Sequence, residues 1–175
     1  MSITITKAQE NLSYQLPAES ILQLADYKRP PAVTIDSKKE YMLLSYRDTY
    51  KSLNDLNQQE ISLAGLRVNP ITNISSSTNY ITNLKIRKVS DNEAIQVKGL
   101  PAQPRITYLT WSPDETKVAF TNTTTEGVEL WTVDLVTAQA NKLTAAVLNA
   151  NLGNPFNWYR DSKSILVRLL QPNRQ

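Results

Sequence analysis

The sequence predicts an all-β chain assembled from repeats, and three observations carry that expectation. The stretch Thr110 to Thr144 reads as strand, turn, strand, turn and short edge strand. Trp158 to Val167 restates Trp111 to Phe120, with Trp158 following Trp111 by 47 positions (158 − 111). Upstream, Leu84, Val89 and Val97 each stand 46 positions before Leu130, Leu135 and Leu143 (130 − 84). A spacing of about 40–50 residues is that of propeller blades, none of which can bury both of its faces alone. The predicted architecture is an incomplete β-propeller of about two to three four-stranded antiparallel blades. A short helix-containing arm, residues 1–31, precedes repeats over 32–175, with limits near 32–100, 101–147 and 148–175, the last one truncated. Three unrelated hairpins in an all-β domain are the alternative.

In chain order, Ser2–Thr6 alternates Ile3 and Ile5 with polar residues, as a short strand does. Pro17-Ala18-Glu19-Ser20 opens a brief helix whose stripe is Ile21, Leu24 and Ala25, and Arg29-Pro30-Pro31 ends it. This arm is expected to pack on a neighbouring surface. Ile35 to Leu44 has turn-then-strand form around Asp36, and Tyr41–Tyr46 is the first strand. An insertion follows. In it Ser52 is placed to cap a helical turn with Asp55 three residues on, Ile61–Pro70 is an apolar strand broken by Gly65, and Ile71–Asn79 is a polar loop.

In the central stretch, Ser112-Pro113-Asp114-Glu115 is a turn, because Pro fixes φ and Asp can bond its own backbone. Lys117–Asn122 is a strand with Val118 and Phe120 on one face, and Thr123–Gly127 turns the chain back. Val128–Leu135 then puts Val128, Leu130, Thr132 and Asp134 on one side and Trp131, Val133 and Leu135 on the other. Gln139–Thr144 closes the unit as a short polar strand.

Composition excludes several kinds of chemistry. The 175 residues are 41% hydrophobic and 20% charged, which is ordinary globular usage. Cysteine and histidine are both absent, so a Ser-His-Asp or Cys-His site cannot be built, and zinc sites lose their usual ligands. Gly65, Gly99, Gly127 and Gly153 stand alone, with no phosphate-cradling loop and no G-x-S-x-G elbow. No cofactor, metal ion or catalytic residue is expected. The net charge of +3 is spread along the chain, so no nucleic-acid partner is expected either. Apolar runs such as Tyr41–Leu44 are too short to span a bilayer, and residues 1–9 lack a secretory pattern. The expectation is a soluble protein, periplasmic or secreted if a leader has been removed.

Tyr50 to Leu56, then Leu63-Ala64-Gly65-Leu66-Arg67-Val68-Asn69, resemble the start of glutamyl endopeptidases of the prolyl oligopeptidase family of serine peptidases. Leu100-Pro101, Trp111-Ser112-Pro113-Asp114, Leu130 to Asp134, Leu148-Asn149-Ala150 and Phe156-Asn157-Trp158 continue the likeness in order. W-S-P-D is common to many propellers, so the Leu63–Asn69 segment discriminates better. The resemblance implies a two-domain enzyme whose propeller gates and positions peptide substrates. A C-terminal α/β-hydrolase domain would carry its Ser, Asp and His. The sequence departs from the family by stopping at Gln175, inside the third repeat, so no catalytic position is carried over. The implied partners are that hydrolase domain and peptides.

A peptidase that cleaves after glutamate needs a cation for the carboxylate, and an Arg fork can bond both oxygens. The candidates are Arg47, at a strand end, and Arg67, in the discriminating segment; the structural alternative is that each is a surface or interdomain ion-pair partner. Asp36, Asp114 and Asp161 read as turn residues, and Trp111, Trp131 and Trp158 as packing between blades. The rival function is a non-enzymatic, Tol-like interaction module. Either way, unpaired outer blades are expected to make the isolated chain self-associate.

Overall fold

The computed structural model describes residues 16–172, and the strand expected at Ser2–Thr6 lies outside them. The elements are α1 (Glu19–Ala25), β1 (Ala32–Ile35), β2 (Tyr41–Tyr46), α2 (Leu53–Leu56), β3 (Ile61–Leu63), β4 (Leu66–Asn69), β5 (Ile74–Ser75), β6 (Asn83–Lys88), β7 (Ile95–Gln96), β8 (Ile106–Trp111), β9 (Lys117–Thr123), β10 (Val128–Asp134), β11 (Gln139–Lys142), β12 (Phe156–Trp158) and β13 (Ile165–Val167). Every ladder between these strands is antiparallel, and among the described residues parallel bridges occur only singly, at Ile74–Ala150 and Lys98–Gln139. One four-stranded sheet has the order β1-β2-β6-β7, and a second has β8-β9-β10-β11. The β12-β13 pair follows the second sheet, and β3-β4-β5 forms a separate sheet within the insertion. The fold is all-β with two short helices, and the described sheets do not close into a barrel or ring.

The sheets repeat one another closely, apart from a bulge between Thr107 and Thr110 of β8 that β1 lacks. The Val97 amide donates to the Leu84 carbonyl at 3.2 Å, and 46 residues on (143 − 97) the Leu143 amide donates to Leu130 at 2.8 Å. The Val89 amide likewise donates to Glu40, and that of Leu135 to Thr116. Trp158 faces Ile165 as Trp111 faces Val118, both shifted by 47 (158 − 111 and 165 − 118). Three turns also match. Backbone amides of Asp36, Ser112 and Tyr159 donate to the carbonyls of Tyr41, Lys117 and Ser164 at 3.1, 2.9 and 2.9 Å. In each turn the residue three further on, Lys39, Glu115 or Ser162, has a left-handed φ of 59°, 58° or 55°.

Asp36 is a turn residue, as expected, but it is not in register with Asp114 and Asp161. It occupies the place of Ser112, 76 residues away (112 − 36), and not that of Asp114. The two side chains are equivalent as acceptors. Asp36 Oδ1 accepts from the Glu40 and Tyr41 amides, and Ser112 Oγ accepts from the Lys117 amide. Asp114 and Asp161 are turn residues, as expected, each accepting from backbone amides within its own turn.

The second sheet is covered on both faces. Val118, Phe120 and Val133 point into a core shared with Leu43, Leu84 and Ile86 of the first sheet, and Trp111 and Trp131 pack against it. Ala119, Val128 and Leu130 point the other way, against Leu148, Phe156 and Ile74, with Trp158 alongside. The alternation read from β9 and β10 is thus the division between two cores. The Phe120 and Trp131 rings stack with centroids 6.3 Å apart and planes 14° apart. Burying a side chain such as Phe120 contributes roughly 1.5–3 kcal/mol.

Between Tyr46 and Asn83, where the second sheet has only the Thr123–Gly127 turn, the first sheet carries the insertion. Its Ser52 cap forms as expected, with Oγ accepting from the Asp55 amide at 3.1 Å. The apolar run, expected to break at Gly65, is the hairpin β3–β4, which turns at Ala64 and Gly65 with φ of 47° and 85°. The expected polar loop contains β5, and Ile74 there is completely buried in the second core. β1, which sequence analysis does not separate from the Asp36 turn, is rich in β-formers, yet all four of its residues are exposed. The packing expected of the arm is not found in α1, which buries no residue; Ile21 and Leu24 remain 56% and 79% exposed. No helix among the described residues is long and apolar enough to cross a membrane.

Candidate functional site

The insertion leaves β2 at Tyr46, so the next residues, Arg47 to Lys51, are loop and not strand. Arg47 is exposed and, among the described residues, makes no hydrogen bond or ion pair. It lines a hollow of about 540 Å³ together with Lys28, Arg29, Asp26 and Asp48. A smaller adjoining hollow adds Lys51 and Asp55 to Arg29 and Arg47. Lys51 Nζ is held by the Ser77 carbonyl at 3.0 Å, and Asp55 is engaged elsewhere. Among the described residues, Arg29 and Arg47 are therefore two guanidinium groups without a hydrogen bond or ion pair on one concave surface, where a carboxylate of a ligand could be held by paired N–H donors.

Asp55 anchors this region. Its carboxylate pairs with Arg105 at 2.5 Å and accepts from Ser52 Oγ at 2.7 Å. Partial burial alone would raise its pKa, but the Ser52 hydroxyl and the Arg105 charge outweigh that and lower it. Arg105 in turn lies over the Tyr80 ring, 4.1 Å from its centroid. The capped turn α2 is thereby fixed to the connection that leads into β8.

Arg67, the other candidate, does not share this hollow. It sits on β4 with its side chain 66% exposed, and its Nε lies 3.5 Å from Glu60. Such exposed pairs contribute little. Two further arginines escape sequence reasoning: Arg29 looks only like part of a helix terminator, and Arg105 stands isolated after Pro104. No motif marks either. Only the return of the insertion onto the sheets gives them a role. Among the described residues no cluster of three or more His, Cys, Asp or Glu could hold a metal ion.

No family model matches the chain. Among curated proteins it is similar to the rice (Oryza sativa subsp. japonica) protein named "Probable glutamyl endopeptidase, chloroplastic", 27% identical over 90% of this chain and 18% of that protein. The Arabidopsis thaliana protein of the same name is 27% identical over 99% of this chain and 19% of its own length. The similarity is to peptidase-related proteins, and the chain spans about a fifth of the length of these relatives.

Proposed function

We propose that this chain is the N-terminal propeller portion of a larger serine peptidase of the prolyl oligopeptidase family. In that role it gates and positions peptides for an α/β-hydrolase domain that carries the Ser, Asp and His. The observation that carries the reading is the bond-for-bond recurrence of turns at Asp36, Ser112 and Tyr159 in successive stacked units. Stacked, register-matched antiparallel units are what a propeller requires. The similarity to proteins named as probable glutamyl endopeptidases supports a peptidase-related parent protein.

Within this reading Arg47 is the residue that holds an acidic peptide side chain, because it is exposed, concavely placed and unpaired among the described residues. Arg67 already has Glu60 beside it and is the weaker candidate. The test is peptidase assay of the full product of the native reading frame on paired peptide substrates with Glu or Gln before the scissile bond. Selective hydrolysis of the Glu substrate is expected. Arg47→Ala is expected to raise KM for that substrate more than it lowers kcat, since it removes ground-state binding. A full product without peptide hydrolysis overturns the reading in favour of an interaction module.

A further inference from the structure

A second cavity, of about 680 Å³, lies where the insertion meets the second sheet. That volume falls within the range of roughly 300–1,000 Å³ typical of ligand sites. Its lining comes from α2 and the residues after it, from Asn69, Ile71 and Thr72 at the β4–β5 turn, and from the connection into β8 with the β9–β10 turn. An inner layer is locked in place. Asn69 Nδ2 donates to Gln58 Oε1 at 3.2 Å, and Asn122 Oδ1 accepts from the Arg105 amide at 3.0 Å. Arg105, the one charged residue of the lining, is neutralised by Asp55. Over this frame Asn54, Asn57, Gln59 and Gln103 line the cavity, and among the described residues their side chains make no hydrogen bond.

We propose that this cavity binds a short, extended, uncharged segment of peptide through its main chain. Each free side-chain amide offers two N–H donors and a carbonyl acceptor, the complement of a peptide group's own C=O and N–H. Two separate segments of the lining supply these amides, and an extended main chain presents its polar groups to both sides. A sugar would be expected to lie on an aromatic face, and no Phe, Tyr or Trp lines the cavity. A charged ligand would find no unpaired counter-charge. The choice of peptide as the amide-bearing ligand rests on the peptidase-related reading above.

The test is titration of the ¹⁵N-labelled 175-residue chain with the capped nonapeptide acetyl-(Asn-Gly-Ser)₃-amide, in parallel with maltoheptaose. Saturable shifts of the side-chain NH₂ signals of Asn54, Asn57, Gln59 and Gln103 are expected with the peptide alone. Asn57→Ala and Gln103→Ala are each expected to weaken binding about five- to tenfold, the worth of one net hydrogen bond. Both positions are exposed, so the fold is expected to be retained, which circular dichroism of each variant checks. Absence of peptide shifts at millimolar concentration, or shifts with maltoheptaose alone, overturns the proposal. The peptidase assay of the full product reads out separately: its failure removes the enzyme reading without moving these signals.

Discussion

The indole Nε1 of Trp158 donates to the carbonyl of Thr110 at 3.1 Å, tying the β12-β13 pair to β8, an edge strand of the second sheet. A neighbouring contact does the same at the turns, where the Asp114 amide donates to Ser162 Oγ at 3.0 Å. The repeated Trp is therefore a fastener between units as well as a packing residue. Trp158→Phe keeps an aromatic ring but removes the donor and part of the packed indole, so it is expected to cost about 1–3 kcal/mol. Urea unfolding followed by circular dichroism measures it.

Phe120 is fully buried between the first and second sheets, whereas Leu166 on β13 is 73% exposed. Phe120→Ala is expected to destabilise the chain by about 3–5 kcal/mol through lost transfer energy and a cavity. Leu166→Ala should stay within about 0.5 kcal/mol. Equal effects in thermal unfolding would contradict the assignment of the core.

These contrasts also mark what the sequence could reveal. The offset of 46 is legible because Leu84 and Leu130 face buried cores and keep their apolar character. The offset of 47 is legible because Trp158 and Asp161 repeat Trp111 and Asp114 by identity. The true place of Asp36 is hidden, since a carboxylate there does what the Ser112 hydroxyl does elsewhere, and matching like with like slips the register by two. Ile74 is lost in a polar stretch because a two-residue strand has no period to read. The hollow around Arg47 depends on Arg29, 18 residues away (47 − 29), and on Asp55 meeting Arg105; contacts between segments of that kind leave no local pattern.

Three turn carboxylates make stability sensitive to acid. The Ser112 hydroxyl, with the Thr116 amide and hydroxyl, lowers the pKa of Asp114 from 3.8 to about 2. Thr137 lowers that of Asp134, and Ser164 that of Asp161. A carboxylate with a depressed folded pKa stabilises the fold above its unfolded value, and that contribution disappears as pH falls through the folded value. The urea midpoint is therefore expected to be flat above about pH 5 and to fall between about pH 4 and pH 2. Asp114→Asn should lower the plateau and shallow the fall.

Arg105 and Arg47 separate structural from binding roles. Arg105→Ala strips Asp55 of its ion partner and uncovers the Tyr80 ring, with an expected cost of about 1–3 kcal/mol. Arg47→Ala removes no described contact and should change stability by less than about 0.5 kcal/mol. Parallel melts of the two variants check the difference.

Both ends of the stack present apolar side chains: Val33 and Ile35 are each 50% exposed on β1, and Leu166 and Leu169 are 73% and 57% exposed at the other end. Such faces favour association. The isolated chain is expected to sediment as dimers or larger species in a concentration-dependent way. A single monomeric species across the accessible concentration range would contradict this.

The most direct measurement of the central claim is to sequence the native transcript past the codon for Gln175. The propeller-of-a-peptidase account predicts further strand-turn-strand repeats at spacings near 46–47 residues, like those between Leu84 and Leu130 and between Trp111 and Trp158. They should be followed by a G-x-S-x-G elbow and then by Asp and His. A stop at that codon, or more repeats with no such elbow, would contradict it.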